Sequence, residues 1–223
     1  MNVVDEINLD NKNQVSNSSQ LSSQLSSQVP GAGSKSGLKI ERHFTKEGVS
    51  PFDQFTYEKH VSLIKNPDGT LVFHNDNVEV PNFWSQVSTD ILAQKYFRKA
   101  GVPLKDAQGN LLYDENGKVI TGGETSIKQV AHRIAGCWRW WGEKYNYFAS
   151  VKDAQVYYDE MVHMIINQTA APNSPQWFTT GLHFAYGLTG PAQGHSYVDP
   201  VTKQLEHSKD AYSRNQPHAC ADY

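Results

Sequence analysis

The 223-residue sequence predicts a mainly α fold with small β-hairpins, on three observations. Apolar residues recur every three or four positions from Ile127 to Phe148 and again from Ala154 to Ile165, the period of helix faces packed on a core. Short β-prone runs flank Asn66-Pro67-Asp68-Gly69, where Pro presets one turn dihedral and Gly supplies a positive φ. The repeats of "SNSSQLSSQLSSQ" offer too little apolar surface to offset the entropy of ordering, so residues 1–37 are expected as a disordered tail.

Residues 38–170 are expected as a hairpin and helical domain. Its hairpin lies in "YEKHVSLIKNPDGTLVFHNDNVEVP". "PNFWSQVSTDILAQKYFRKAGVP" predicts a helix with Val87, Ile91, Leu92 and Tyr96 on one face, Ser88 as cap, and Gly101 with Pro103 as its stop. "DAQGNLLYDENGKVITGGE", with two glycine turns, predicts a surface hairpin. Ser126 and Gln129 form a capping-box pattern before the clearest helix, whose face is Ile127, Val130, Ile134, Trp138, Trp141, Tyr145 and Phe148. A second helix is expected from Val151 to Thr169, capped by Ser150, with Ala154, Tyr158, Met161 and Ile165 inward. The aromatic stripe "CWRWWGEKYNYF" reads as packing of one helix on the next rather than as a ligand box.

With 38% hydrophobic residues, 19% charged residues and a formal net charge of −3, the composition is that of a soluble protein. It gives no electrostatic case for a nucleic-acid partner, which a basic patch would signal. No apolar run approaches the roughly 20 residues that span a bilayer, and the acidic N-terminus does not read as a secretory signal. A cytoplasmic protein with no membrane partner is expected. Cys137 and Cys220 fit a reducing compartment, and Cys137, between apolar helix positions, reads as a small buried hydrophobe. His183, His195, His207, His218 and Cys220 are ligand types, but their spacings match no compact zinc signature, so no metal site is expected. A self-contained thiol hydrolase built on Cys220 and His218 has no local signature either.

Regular periodicity ends at Ala171. "APNSPQWFTTGLHFAYGLTGPAQGH" carries Trp177, Phe178, Phe184 and Tyr186 among prolines and glycines, with no charged side chain. Asn173-Ser174-Pro175 places a hydroxyl and backbone amides on a stiff turn suited to a sugar or phosphate oxygen, although composition alone favours a structural loop over an active site.

The words "SIKQVAHRIAGCWRWWGEKYNYF", "APNSPQWF", "TGLHFAYG", "GPAQGHSYVDP" and "AYSRNQPHAC" resemble, in order, the N-terminal part of the adenosylcobalamin (vitamin B12)-dependent class II ribonucleotide reductase large chain. "HVSLIKNPDGTLVFHNDNVEVPNFWSQVSTDILAQKYF" is similar to the opening of the same family, so the resemblance runs from Leu38 to Cys220. It implies an N-terminal helical region leading into the first strand of a ten-stranded α/β barrel, with residues 171–223 as a substrate-pocket loop and the start of that barrel. It implies reduction of ribonucleotides to deoxyribonucleotides for DNA synthesis and repair, with adenosylcobalamin as the radical source and a thioredoxin-type reductant. Carried over, Ser174 matches a substrate-binding residue before Pro, and Ala219 and Cys220 match the pair at the ribose. Cys220 matches one of two thiols that reduce the 2′ carbon and become a disulfide.

The family continues for several hundred residues after this cysteine, whereas "ADY" follows it here. The radical cysteine, the second reducing cysteine and most cobalamin contacts are therefore expected outside this chain, and the chain alone is expected to be inactive. A truncated product, a gene piece interrupted by an intein at Cys220, and a split subunit that docks onto a separate C-terminal reductase chain as a non-catalytic assembly fragment all fit that ending.

Overall fold

The structure, a computed structural model, describes residues 37–106, 108–190, 196–199 and 201–207, all within the unit Gly37–Tyr223. The tail expected before Gly37 and the strand expected at "QPHAC" lie outside the described residues.

Strands β1 (Tyr57–Lys65) and β2 (Leu71–Pro81) pair antiparallel from Tyr57↔Pro81 to Lys65↔Leu71. Their turn is the one the Asn-Pro-Asp-Gly signal predicts. Asn66 O accepts from Gly69 N at 2.9 Å, Asp68 Oδ1 accepts from Thr70 N at 2.8 Å, and Gly69 takes φ 87°. One face of β2 delivers Val78 and Val80 to the core. A register shift between His60 and Ser62 turns Ser62 inward, where its hydroxyl donates to Asp90 at 2.6 Å.

Helix α1 (Gln86–Ile91) passes directly into a π-helical turn, Leu92–Tyr96, closed by the i→i+5 bond from Phe97 N to Leu92 O. Its cap is Ser85, whose hydroxyl accepts from Ser88 N at 3.1 Å, so the cap predicted at Ser88 is corrected by three residues. The predicted face is corrected with it. Val87 and Ile91 point to solvent, while Thr89, Leu92, Ala93 and Phe97 are buried, because the earlier start and the wide turn rotate the helix relative to a regular 3.6-residue wheel.

Two-residue strands β3 (Val102–Pro103) and β4 (Thr121–Gly122) pair at the base of an excursion. The excursion is not the simple hairpin its sequence suggested. Leu104 N donates to Ile120 O, Ile120 N to Leu112 O, and Leu112 N to Leu104 O, a closed ring of three bonds at 2.9–3.0 Å. The cause is an eight-residue repeat, "LKDAQGNL" then "LYDENGKV". In each copy an aspartate, Asp106 or Asp114, accepts two turn amides at 2.9 Å through one oxygen, and a glycine of positive φ follows.

Helix α2 (Ile127–Lys144) opens on the predicted capping box of Ser126 and Gln129. Helix α3 (Val151–Ile166) is capped by Ser150 and stops short of Thr169, with Gln168 at φ 57°. The two pack as a hairpin whose core includes Ile127, Val130, Ile134, Val162, Ile165 and Ile166. Burying each such side chain contributes about 1.5–3 kcal/mol, and Ile134→Ala would cost about 2–5 kcal/mol. The far side of α3 is strapped by the extended chain before it. Asp153 accepts from Ile40 N, Glu160 accepts from Phe44 N and Thr45 N, each at 2.9 Å, and Asp159 pairs with Arg42 at 2.7 Å. Among the described residues no helix is long and apolar enough to cross a membrane.

Candidate functional site

The segment after Ala171 was expected as irregular loop, and the structure corrects this with two short helices, α4 (Ser174–Thr179) and α5 (Leu182–Tyr186). Asn173 caps α4 through its side chain, Pro175 sits in the first turn where its missing N–H costs nothing, and Gly181 and Gly187, at φ 80° and 66°, bound α5. These are ordinary start and stop signals. The helices they enclose are too short to show a period.

What fixes this segment is an ion pair inside the protein. Arg133, on the core side of α2, binds Glu124 at 2.7 Å, and both side chains are 0% exposed. The same guanidinium donates to Trp177 O at 2.6 Å, Thr180 O at 2.9 Å and, more weakly, Tyr96 O at 3.4 Å. Glu124 is filled from its other sides by Arg98 N at 2.8 Å and the Tyr186 hydroxyl at 2.7 Å. Burial, then the Glu124 charge, hold the Tyr186 phenol well above its ordinary range, so it stays a donor. A buried charge needs its hydrogen bonds filled in this way. One guanidinium therefore ties α2, α4 and the π-turn together. Gly181 lies against this brace so closely that a Cβ there would sit 1.9 Å from Arg133 O.

Around Ser174 the contacts are aromatic. Trp177 donates through its indole to Pro172 O at 2.7 Å, and Trp138 donates to Gln176 at 3.2 Å. The Tyr96 ring lies 5.4 Å from Trp177 and 5.3 Å from Phe178, and its hydroxyl stands 3.0 Å from Ser174 Oγ. Ser174 and Phe178 are one turn apart on α4, so a hydroxyl and a ring that is 46% exposed share one face.

Of the residues predicted to touch substrate, Ser174 occupies the first turn of α4, whereas Ala219 and Cys220 lie outside the described residues. His183 and His207 each bond locally, to Leu188 O at 3.1 Å and Ser196 Oγ at 2.9 Å, and His195 and His218 lie outside the described residues. Among the described residues no three His, Cys, Asp or Glu side chains converge on a metal-sized site. Cys137 is buried as expected, and burial, only partly offset by the Gly181 amide, pushes its thiol up to about 12. Sequence reasoning missed Tyr96, Glu124 and Arg133. The available signal was Arg133 itself, a charge beside Val130 and Ile134 on a face that must be buried, and so in need of a partner.

A model of the family described as class II vitamin B12-dependent ribonucleotide reductase matches residues 58–168. A vitamin B12-dependent ribonucleotide reductase of Agrobacterium fabrum is 50% identical over 199 residues, and one of Bradyrhizobium diazoefficiens is 48% identical over 201. Each alignment covers 82% of this chain and 16% of the relative. One of Streptomyces clavuligerus is 35% identical over 156 residues, covering 69% of this chain and 14% of the relative. The chain thus spans about one sixth of the length of the first two. It belongs to the class II vitamin B12-dependent ribonucleotide reductase family and matches the N-terminal part of that family.

Proposed function

We propose that this chain supplies the N-terminal helical region and part of the substrate pocket of a reductase that converts ribonucleotides to deoxyribonucleotides. In this reading residues 38–170 are the helical domain, and residues 171–223 form the pocket loop and lead into the first strand of a ten-stranded α/β barrel. The observation that carries the reading is the brace on α4: a buried Arg133–Glu124 pair holds rigidly a helix whose Ser174 hydroxyl is backed by packed aromatics. A substrate hydroxyl or phosphate is best met by a group whose geometry is fixed beforehand.

Ser174 donates a hydrogen bond to the nucleotide, and Ala219 and Cys220 lie against its ribose. Cys220 and a second cysteine outside this chain give up two electrons and two protons as the 2′ hydroxyl leaves as water, and they close to a disulfide that a thioredoxin-type protein reopens. Adenosylcobalamin supplies the radical that starts this reduction. No described residue is assigned to it, and Cys137, buried and held as a thiol, takes no part in the redox chemistry.

The test is reduction of cytidine diphosphate and triphosphate by the protein recovered in its native form, with any polypeptide that accompanies it, adenosylcobalamin and a dithiol. Cys220→Ser is expected to abolish sustained turnover. Full reduction by Cys220→Ser would overturn the assignment.

A further inference from the structure

We propose that Tyr96 is a positioning residue, its hydroxyl setting the Ser174 hydroxyl for the ribonucleotide. The proposal rests on the reading of Ser174 given above. A serine hydroxyl turns freely about two bonds, and a donor aimed at its oxygen removes most of that freedom. A phenol is a better donor than an aliphatic alcohol, so across the 3.0 Å contact Tyr96 donates and Ser174 keeps its own proton for a sugar or phosphate oxygen.

The protein goes to some length to put Tyr96 there. Tyr96 ends the π-helical turn, whose extra residue sets the chain back by up to about 100° relative to a regular α-helix. π-turns recur at functional sites, and this one ends on the residue that meets Ser174. The ring is clamped by Trp177 and Phe178, and Arg133, which reaches the Tyr96 carbonyl at 3.4 Å, also holds the Trp177 carbonyl at 2.6 Å. Tyr96 and Ser174 are therefore referenced to one buried group. A ring serving only as packing would not require its hydroxyl to end on a serine.

The experiment measures the dissociation constants of cytidine diphosphate and, in a parallel titration, cytidine triphosphate for the native protein, with KM and kcat and the thermal midpoint alongside. Tyr96→Phe removes one oxygen and keeps the ring. It is expected to weaken binding of the preferred nucleotide about threefold to tenfold, with KM rising in step and kcat within about twofold. In a Ser174→Ala background it is expected to add nothing, since Tyr96 acts through that hydroxyl. Tyr57→Phe, which removes a buried hydroxyl that has no hydrogen-bond partner among the described residues, is expected to leave binding unchanged.

Weaker binding in Ser174→Ala but not in Tyr96→Phe would overturn the proposal and leave the Ser174 reading standing. A full Tyr96→Phe effect in the Ser174→Ala background would overturn it too, as would a lowered thermal midpoint with unchanged binding, the mark of a mere staple. Unchanged binding in Ser174→Ala would overturn both the proposal and the reading beneath it.

Discussion

Arg133→Met keeps an unbranched apolar stem, shorter than arginine, and removes the guanidinium. What remains is a Glu124 carboxylate with 0% exposure that has lost its bonded countercharge, with only the Lys99 ammonium acting on it through space, together with Trp177 and Thr180 carbonyls that have lost the guanidinium donor. Removing one partner of a buried pair costs about 3–5 kcal/mol. Arg98 N and the Tyr186 hydroxyl still serve Glu124, which argues for the middle of that range, about 4 kcal/mol. At about 2–4 °C per kcal/mol for a chain of this size, the thermal midpoint should fall by about 8–16 °C. Far-ultraviolet circular dichroism and tryptophan fluorescence would read it. Arg133→Met combined with Glu124→Met should be less destabilised than Arg133→Met alone, because the uncompensated charge is gone. A loss under about 1 kcal/mol for Arg133→Met, or a double variant whose losses simply add, would refute the claim that the ion pair braces this segment.

Gly181→Ala and Gly48→Ala both place a side chain at positive φ, but only at Gly181 would the new Cβ strike backbone. Urea midpoints should show about 1 kcal/mol lost at Gly48 and more than about 2 kcal/mol at Gly181; equal losses would contradict the close approach to Arg133. Burial pulls the Glu160 carboxyl upward, but its hydrogen bonds from Thr45 and the Phe44 amide together outweigh this and leave it below the ordinary 4.5. A depressed carboxylate contributes stability above its unfolded value and loses it as the pH falls through the folded value. Exchange protection of the Phe44 and Thr45 amides should therefore hold from neutral pH to about 5 and decline below 4.5, and protection unchanged down to pH 3 would be inconsistent with that sign. With its thiol raised from 9.0 to about 12, Cys137 carries about a thousandfold less thiolate than an unburied one. Iodoacetamide should modify it only after unfolding in urea; rapid labelling of the folded protein would show it to be accessible.

What was legible in the sequence was whatever local chemistry decides. The capping box at Ser126 and Gln129, the Ser150 cap and the Asn-Pro-Asp-Gly turn all stand where the residues put them, because each is closed by bonds within a few positions. The helix before Phe97 was legible as a helix but not in its facing, since a π-turn leaves no mark on a pattern read at 3.6 residues per turn. The site was half legible. Ser174 and its proline could be picked out as a stiff hydroxyl-bearing turn, but the contacts that fix α4 and this hydroxyl span 44 and 78 positions in sequence. Glu124 lay hidden behind two glycines at the mouth of a loop. Long-range pairing of this kind is set by packing, and no window along the chain contains it.

The excursion between Pro103 and Thr121 has a consequence of its own. It departs and returns at a single address, the Val102↔Gly122 pair, and ties itself shut through Leu104, Leu112 and Ile120. Its length is set by its own two turns, and Lys105 near its base acts electrostatically on His132 of α2. Evolution could add or drop an eight-residue unit here without disturbing the helices, and an experimenter could graft an epitope or fluorophore at the Gly117 tip, where closing a longer loop costs only about 0.6 kcal/mol per doubling. It is a natural handle on the protein, closed by its own hydrogen bonds and apart from the helix hairpin.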